Sequence, residues 1–322
     1  NLGLDDPKFY GVSKEKKAIN FLGKKNLCFI ISCVVIVAGW VMMGVHGAGG
    51  DGVLNYSMEF KGGTSTNVTF NEDMSLEDIS SKVVPVVTKV TGDAEVQTQK
   101  VTGTNEVIIK TKTLSVDQRQ ALNDALVENF GVEEDKITAE SISGAVSNEM
   151  KRDAIEAVII ATICMLIYIW FRFKDVRFAS SAVLALLHDL LFVLTFYALA
   201  RTSVGNTFIA CMLTILGYSI NATIVIFDRI REELRVMKRN DDLKALVNRS
   251  ITYTLTRSIY TTFTTFVMVA VLYIMGVSSI KEFAAPLMVG IAGGGYSSVC
   301  ITGALWYVMK TKIGGKKAAK KK

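Results

Sequence analysis

Histidine is almost absent from this chain, and cysteine is sparse and scattered. The two histidines are His46 and His188. The five cysteines, Cys28, Cys33, Cys164, Cys211 and Cys300, all lie in apolar segments, and none forms a CxxC pair. Metal sites need clustered ligands, so the cysteines read as small apolar packing residues. No GxxxxGK[ST] loop is present, which leaves no phosphate cradle for ATP. No nucleophile stands with a paired base, as hydrolase chemistry requires. The expectation is a non-enzyme with no cofactor and no metal site.

Hydrophobic residues, by contrast, make up half of the 322, and they are unevenly spread. Crossing the hydrocarbon core takes roughly 20 mostly apolar residues in a helix. Residues 27–45 run without a charge, and 178–200, 204–227, 258–277 and 283–309 are further candidate spans. The run 157–171 is shorter and reaches full length by extending back through Glu156. The first run lacks the small-residue cleavage pattern of a leader and reads as a retained helix. The expected fold is therefore a polytopic α-helical membrane protein with six transmembrane helices. A soluble domain separates the first helix from the second.

Basic residues collect on loops that stay cytoplasmic. They crowd the N-terminal segment, the 172–177 turn, the loop near 228–256 and the C-terminal tail, while the short loops opposite hold only Arg201 and Lys281. This orients both termini inside. The expected plan is a cytoplasmic segment 1–26, a first helix 27–46 and an extracytoplasmic domain 47–152. Helices two to six then fill 153–310, and a cytoplasmic basic tail takes 311–322. The net charge of +6 is thus a topological signal. Anionic lipid headgroups are the expected partner of the tail, and no nucleic acid is expected.

The soluble domain alternates strand-like and helix-like segments. Residues 55–60 and 66–70 read as strands around Gly62 and Gly63. Ser75 with Asp78 opens a helix to about Val90, with Pro85 as a mark against regularity. Residues 95–101 and 106–111 alternate in period two around Gly103, a hairpin pattern. Residues 115–130 form an amphipathic helix with Leu122, Leu126 and Phe130 on one face, stopped by Gly131. Residues 136–142 close the domain as a strand. The order β-β-α-β-β-α-β suggests an α+β domain of ferredoxin-like type.

Ionisable residues inside spans are expensive, roughly 2.5 to 3.5 kcal/mol even on insertion-based scales, so they carry the most information. His188 and Asp189 stand near the middle of the third span. Asp189 is either structural glue, satisfied by hydroxyl or backbone groups of a neighbouring helix, or a protonatable site. Asn221 lies in the fourth span, which ends in the charged run Asp228, Arg229, Arg231, Glu232. Arg257 opens the fifth span, either as a snorkelling anchor or as part of an intramembrane site. Thr261, Thr262, Thr264 and Thr265 then give that span a hydroxyl-rich face suited to bonds across helices. Gly290 to Gly295 (GIAGGG) provides small residues for close helix packing.

Several stretches together resemble the SecF proteins of the SecD/SecF export family, within the resistance-nodulation-division superfamily. They are YSMEFKGGT at 56–64, YIWFRF at 168–173, ALLHD at 185–189, GYSIN at 217–221, FDRIRE at 227–232 and TLTRSIYTT at 254–262. The resemblance implies a bacterial cytoplasmic-membrane subunit that pairs with SecD, as a separate chain or within a fusion. The pair would use the proton-motive force to help move and release translocating polypeptide. SecYEG and YajC are the implied neighbours, and SecA acts indirectly from inside. Site residues implied by the motifs are Glu59, Phe60, Gly62 and Gly63 after the first span, the charged run ending the fourth, and the intramembrane set Asp189, His188, Asn221 and Arg257. One departure stands out. The family usually reads Asn-Asp where this chain has Asn221-Ala222, and alanine carries no proton. Glu59 replaces the commoner aspartate. The start at Asn1, without Met, suggests trimming or one half of a longer fusion. Two alternatives remain: a half-unit of a small-molecule exporter, and a scaffold for SecD without proton coupling of its own. The coupling ion, H⁺ or Na⁺, stays open.

Overall fold

The computed structural model describes residues 18–49, 52–94, 96–101, 103–238 and 241–313, with the backbone alone at 278, 279, 312 and 313. The expected strand start at Glu95, the lysines Lys8, Lys14, Lys16 and Lys17, and the basic tail from 314 onward lie outside these residues.

Six helices are long and apolar enough to cross a membrane. They are α1 (Lys25–Ala48), then α6 (Gly144–Phe173), α7 (Val176–Ala200), α8 (Asn206–Val236) and α9 (Leu243–Met275), and a sixth run from Ile280 to Thr311. The sixth run is interrupted. Its first part, α10 (Ser278–Ser297), meets a π turn at Ser298–Thr302 before α11 (Gly303–Val308) resumes. Each expected span is present. Several helices run past the apolar stretch, because caps end a helix where hydropathy does not. Asp242 caps α9 by accepting the Lys244 amide at 2.9 Å, well ahead of the expected apolar span at 258–277. Of the six, α7, α8 and the sixth run are the inner helices, while α1, α6 and α9 keep most of their surface exposed.

Between α1 and α6 the chain forms α2 (Met58–Lys61), β1 (Gly63–Thr69), α3 (Leu76–Asp78), α4 (Val84–Thr91), β2 (Gln97–Lys100), β3 (Glu106–Thr111), α5 (Val116–Phe130) and β4 (Ile137–Ile142). All strand pairs are antiparallel, in the order β2-β3-β1-β4. The helices bury Ile79, Val83, Val87, Leu122 and Leu126 against Val68, Val107 and Ile109 of the sheet.

Local chemistry explains most boundaries. The Ser75 hydroxyl accepts the Asp78 amide at 3.1 Å and donates to the Asp78 carboxylate at 2.6 Å. A hydrogen bond from Lys82, with a second from Ser75, holds the Asp78 carboxyl down at about 2. Pro85 has no amide hydrogen to give the ladder, and a π turn at Ile79–Val83 takes up the irregularity between α3 and α4. Ser115 and Gln118 form a full capping box on α5, and Gly131 ends it at a φ of 62°.

The expected strand over 55–60 is not one. Tyr56 makes a single parallel bridge to Val204, and Met58–Lys61 is one helical turn. Phe60 supplies the reason. It is buried among Val193, Tyr197 and Leu287 of the spanning helices instead of the sheet core. The observed order after α2 is therefore β-α-β-β-α-β.

The first span packs closely on the third at Gly39, where an added Cβ would overlap the Thr195 side chain. Thr195 is β-branched and its hydroxyl is tied to the Leu191 carbonyl at 3.0 Å, so it has little freedom to step aside. Gly39→Val is expected to cost about 1–3 kcal/mol by overpacking. Thermal unfolding in detergent checks this, and an unchanged melting temperature would refute the contact.

Candidate functional site

The helix α7 carries Asp189 at its middle and buries it almost completely, at 1 % exposure. The carboxylate is well supplied with donors. Ser219 of α8 and Ser297 of α10 both donate to its Oδ2, the latter at 2.8 Å. Its Oδ1 lies 2.9 Å from Nδ1 of His188. One carboxylate thus ties together the three inner helices. Ser297 is the last residue before the π turn, a feature that often marks functional positions. The His188 ring lies against Phe192 and Tyr296, and its Nε2 is buried without a partner among the described residues. Gly290, Gly293 and Gly295 allow this closeness, since a Cβ at each would overlap or crowd Ile215, Phe192 or Thr262 respectively.

Asn221 and Arg257 are elsewhere. They line a small groove of about 70 Å³ between α8 and α9, with Tyr218, Ala222, Thr261 and Thr262 among its walls. The Tyr218 hydroxyl bridges the groove to Thr262 at 2.8 Å. Asn221 and Arg257 are both exposed, and neither side chain makes a hydrogen bond or ion pair among the described residues; the Arg257 carbonyl accepts the Thr261 hydroxyl at 2.9 Å. The separation follows from helix geometry. Asn221 is two residues past Ser219, roughly 200° around α8 but only about 3 Å along it. Asp189 and Arg257 therefore lie at similar depth on opposite sides of the same helix. The four-residue set divides into a buried pair and an open groove.

The charged run at the end of α8 forms a lock between helices. Asp228 accepts Arg172 of α6 at 2.8 Å, and Arg231 donates to the Arg172 carbonyl at 3.0 Å, closing the last turn of α6. Arg229 bonds Glu232 at 3.1 Å and Glu233 at 2.7 Å. Glu233 also accepts Arg249 of α9. At the other end, Phe60 is buried, and Gly62 and Gly63 turn the chain at φ values of 76° and 144°, conformations that favour glycine. The Glu59 carboxylate accepts the Ser57 hydroxyl at 2.6 Å.

Sequence reasoning missed Ser219, Ser297, Glu233 and Arg249. Ser219 lies inside the GYSIN stretch, and its place two residues before Asn221 was the available signal. Ser297 and Arg249 carried none, because their roles depend on helices far apart in the chain. Among the described residues, no three His, Cys, Asp or Glu side chains gather into a metal-binding group.

Six helices long and apolar enough to cross a membrane, with a buried, hydroxyl-satisfied carboxylate among the inner three, define a multi-pass helical membrane protein, and a small antiparallel sheet lies between the first and second of them in the chain. Residues 122–312 match the family model described as "Protein export membrane protein SecD/SecF, C-terminal". The chain belongs to this SecD/SecF protein-export family. It is 34% identical over 298 residues to the protein translocase subunit SecF of Alicyclobacillus acidocaldarius, covering 90% of this chain and 94% of that one. The SecF of Thermodesulfovibrio yellowstonii is 33% identical, covering 89% and 93%. The translocase subunit SecDF of Bacillus subtilis is 34% identical, and the match covers 90% of this chain but 38% of that protein. A crystal structure of a Thermus SecDF, described as a translocon-associated membrane protein, superposes with a TM-score of 0.75 at 30% identity. That match covers 92% of this chain and 39% of the Thermus chain.

Proposed function

We propose that this chain is a SecF-type accessory subunit of the bacterial Sec translocase, paired with SecD, which uses the proton-motive force to promote translocation and release of polypeptide. The observation that carries this reading is the groove between α8 and α9. It holds a guanidinium at membrane depth with no anion among the described residues, and Ala222 opposite it. An intramembrane charge is expensive and marks function by default. Its anion would come from a second chain, with the principal protonation site on SecD, Arg257 as its counterpart, and Asp189 with His188 in support. The similarity to SecDF proteins, in which this chain matches about two fifths of the length, supports SecD as that second chain.

The remaining parts follow from the same reading. Both termini lie in the cytoplasm of a bacterial cell, and the sheet domain is extracytoplasmic. The β-α-β-β-α-β order and the strand order β2-β3-β1-β4 support a ferredoxin-like reading of that domain. SecYEG and YajC are neighbours, SecA acts indirectly, and the basic tail meets anionic lipid.

Purification of the tagged full chain from mild detergent tests the pairing. SecD recovered in equal amount is the expected result. A self-paired dimer without SecD would favour the exporter half-unit and overturn the proposal. The second reading, a scaffold for SecD without its own coupling, draws on Ala222. It predicts that neutral substitutions at Asp189 and Arg257 leave secretion intact.

A further inference from the structure

We infer that Glu59 is a positioning residue that caps α8 from the far end of the outside segment and joins the sheet domain to that helix as one mechanical piece. The first amides of a helix have no partner within it, and a serine or aspartate at the N-cap usually supplies one. The N-cap of α8 is Gly205, which has no side chain to offer. The acceptor comes instead from Glu59, whose Oε2 lies 3.4 Å from the Asn206 amide. The same oxygen accepts the Ser57 hydroxyl at 2.6 Å, which holds the carboxylate at the helix end. The positive end of the helix dipole favours an anion there.

Gly205 is the other half of the joint. A Cβ at that position would overlap both the Glu59 carboxylate and the Ser57 hydroxyl, so any larger residue would displace the cap. Backbone bonds hold the two segments in register on either side. The Val204 amide donates to Asn55 at 2.8 Å, and the Ser57 amide donates to Val204 at 3.0 Å. From Glu59 the chain passes through one short helical turn and two glycines straight into β1. A shift of the sheet relative to the bundle therefore reaches the first turn of α8 through a few residues. That helix presents Ser219 to Asp189 on one side and Asn221 to the Arg257 groove on the other.

The coupling half of this proposal rests on the translocase reading and adds to it that the sheet domain moves during export. The cap does not. Amide hydrogen exchange on the full chain in lipid nanodiscs, with export measured in parallel in cells, separates the two. In Glu59→Ala, exchange at 206–209 is expected to rise on the order of fivefold, the ratio a typical N-cap is worth. The sheet should exchange as in the wild type, and proton-driven export should fall with the cap. Gly205→Ala should reproduce both effects from the opposite side. Glu59→Gln keeps an acceptor oxygen and should stay close to wild type in both. Wild-type exchange at 206–209 in both Glu59→Ala and Gly205→Ala would overturn the cap. Faster exchange with unchanged export would overturn the coupling. If deleting the whole chain leaves export unaffected, the translocase reading fails, and the exchange data alone decide the cap.

Discussion

Arg257→Ala is expected to lower proton-coupled export on the order of tenfold, equivalent to about 1.4 kcal/mol, while the chain still folds and inserts. Both halves of that expectation come from the groove. Arg257 is exposed and its side chain makes no hydrogen bond or ion pair among the described residues, so truncating it breaks no polar contact in the fold. An arginine in hydrocarbon costs roughly 2.5 kcal/mol or more on insertion scales, so shedding the charge should ease insertion of the isolated chain. What is lost is the attraction across the interface, in a medium where charges are poorly screened. Arg257→Lys keeps the charge but not the planar fork, and an intermediate loss is expected. Proton flux across inverted vesicles, read with a pH-sensitive dye during export, measures the effect. Wild-type flux in both Arg257→Ala and Asp189→Asn would sink the coupling proposal.

Asp189→Ala should act on the fold first. It removes the acceptor shared by Ser219 and Ser297, and hydrogen bonds to a charged group are worth about 1.5–3 kcal/mol each. The two serines sit on different helices, both fully buried, so neither hydroxyl regains water when the acceptor goes. A loss of roughly 3 kcal/mol follows, seen as a large drop in melting temperature and in the amount of chain held in the membrane. Asp189→Asn keeps a carbonyl oxygen for one or both hydroxyls and should fold much better. The contrast separates glue from proton carrier. If Asp189 only holds helices, export in Asp189→Asn tracks the folded fraction. If it also carries a proton, flux falls in well-folded protein. Wild-type melting in Asp189→Ala would remove the three-helix node itself.

The length of the apolar runs made the six spans legible, since the hydrocarbon thickness sets a minimum that few soluble segments meet. The sheet domain was legible for a different reason. Ser75 with Asp78, Gly131 and the alternation of 106–111 are local signals, and each became the cap, stop or strand it suggests. The failure at 55–60 has the opposite cause. Alternation around Phe60 looks like a strand, but the ring is claimed by α7 and α10 rather than the sheet. Periodicity records that a residue is buried and is silent about which body buries it.

The intramembrane polar residues divide the same way. That Asp189 and Arg257 must be paired somewhere follows from their chemistry and from the apolar runs around them, with no structure needed. Which partners they take does not. Each residue turns a helix by about 100°, so Ser219 and Asn221, almost adjacent in the chain, face opposite sides of α8. Packing of α7 and α10 on one of those sides gives Asp189 two serines from distant segments, while the other side leaves Arg257 open. Composition and spacing established that this is a six-span membrane protein with costly charges inside. Only the tertiary arrangement decided that one charge is satisfied within the chain and the other is not, because satisfaction in hydrocarbon depends on neighbours that sequence distance does not reveal.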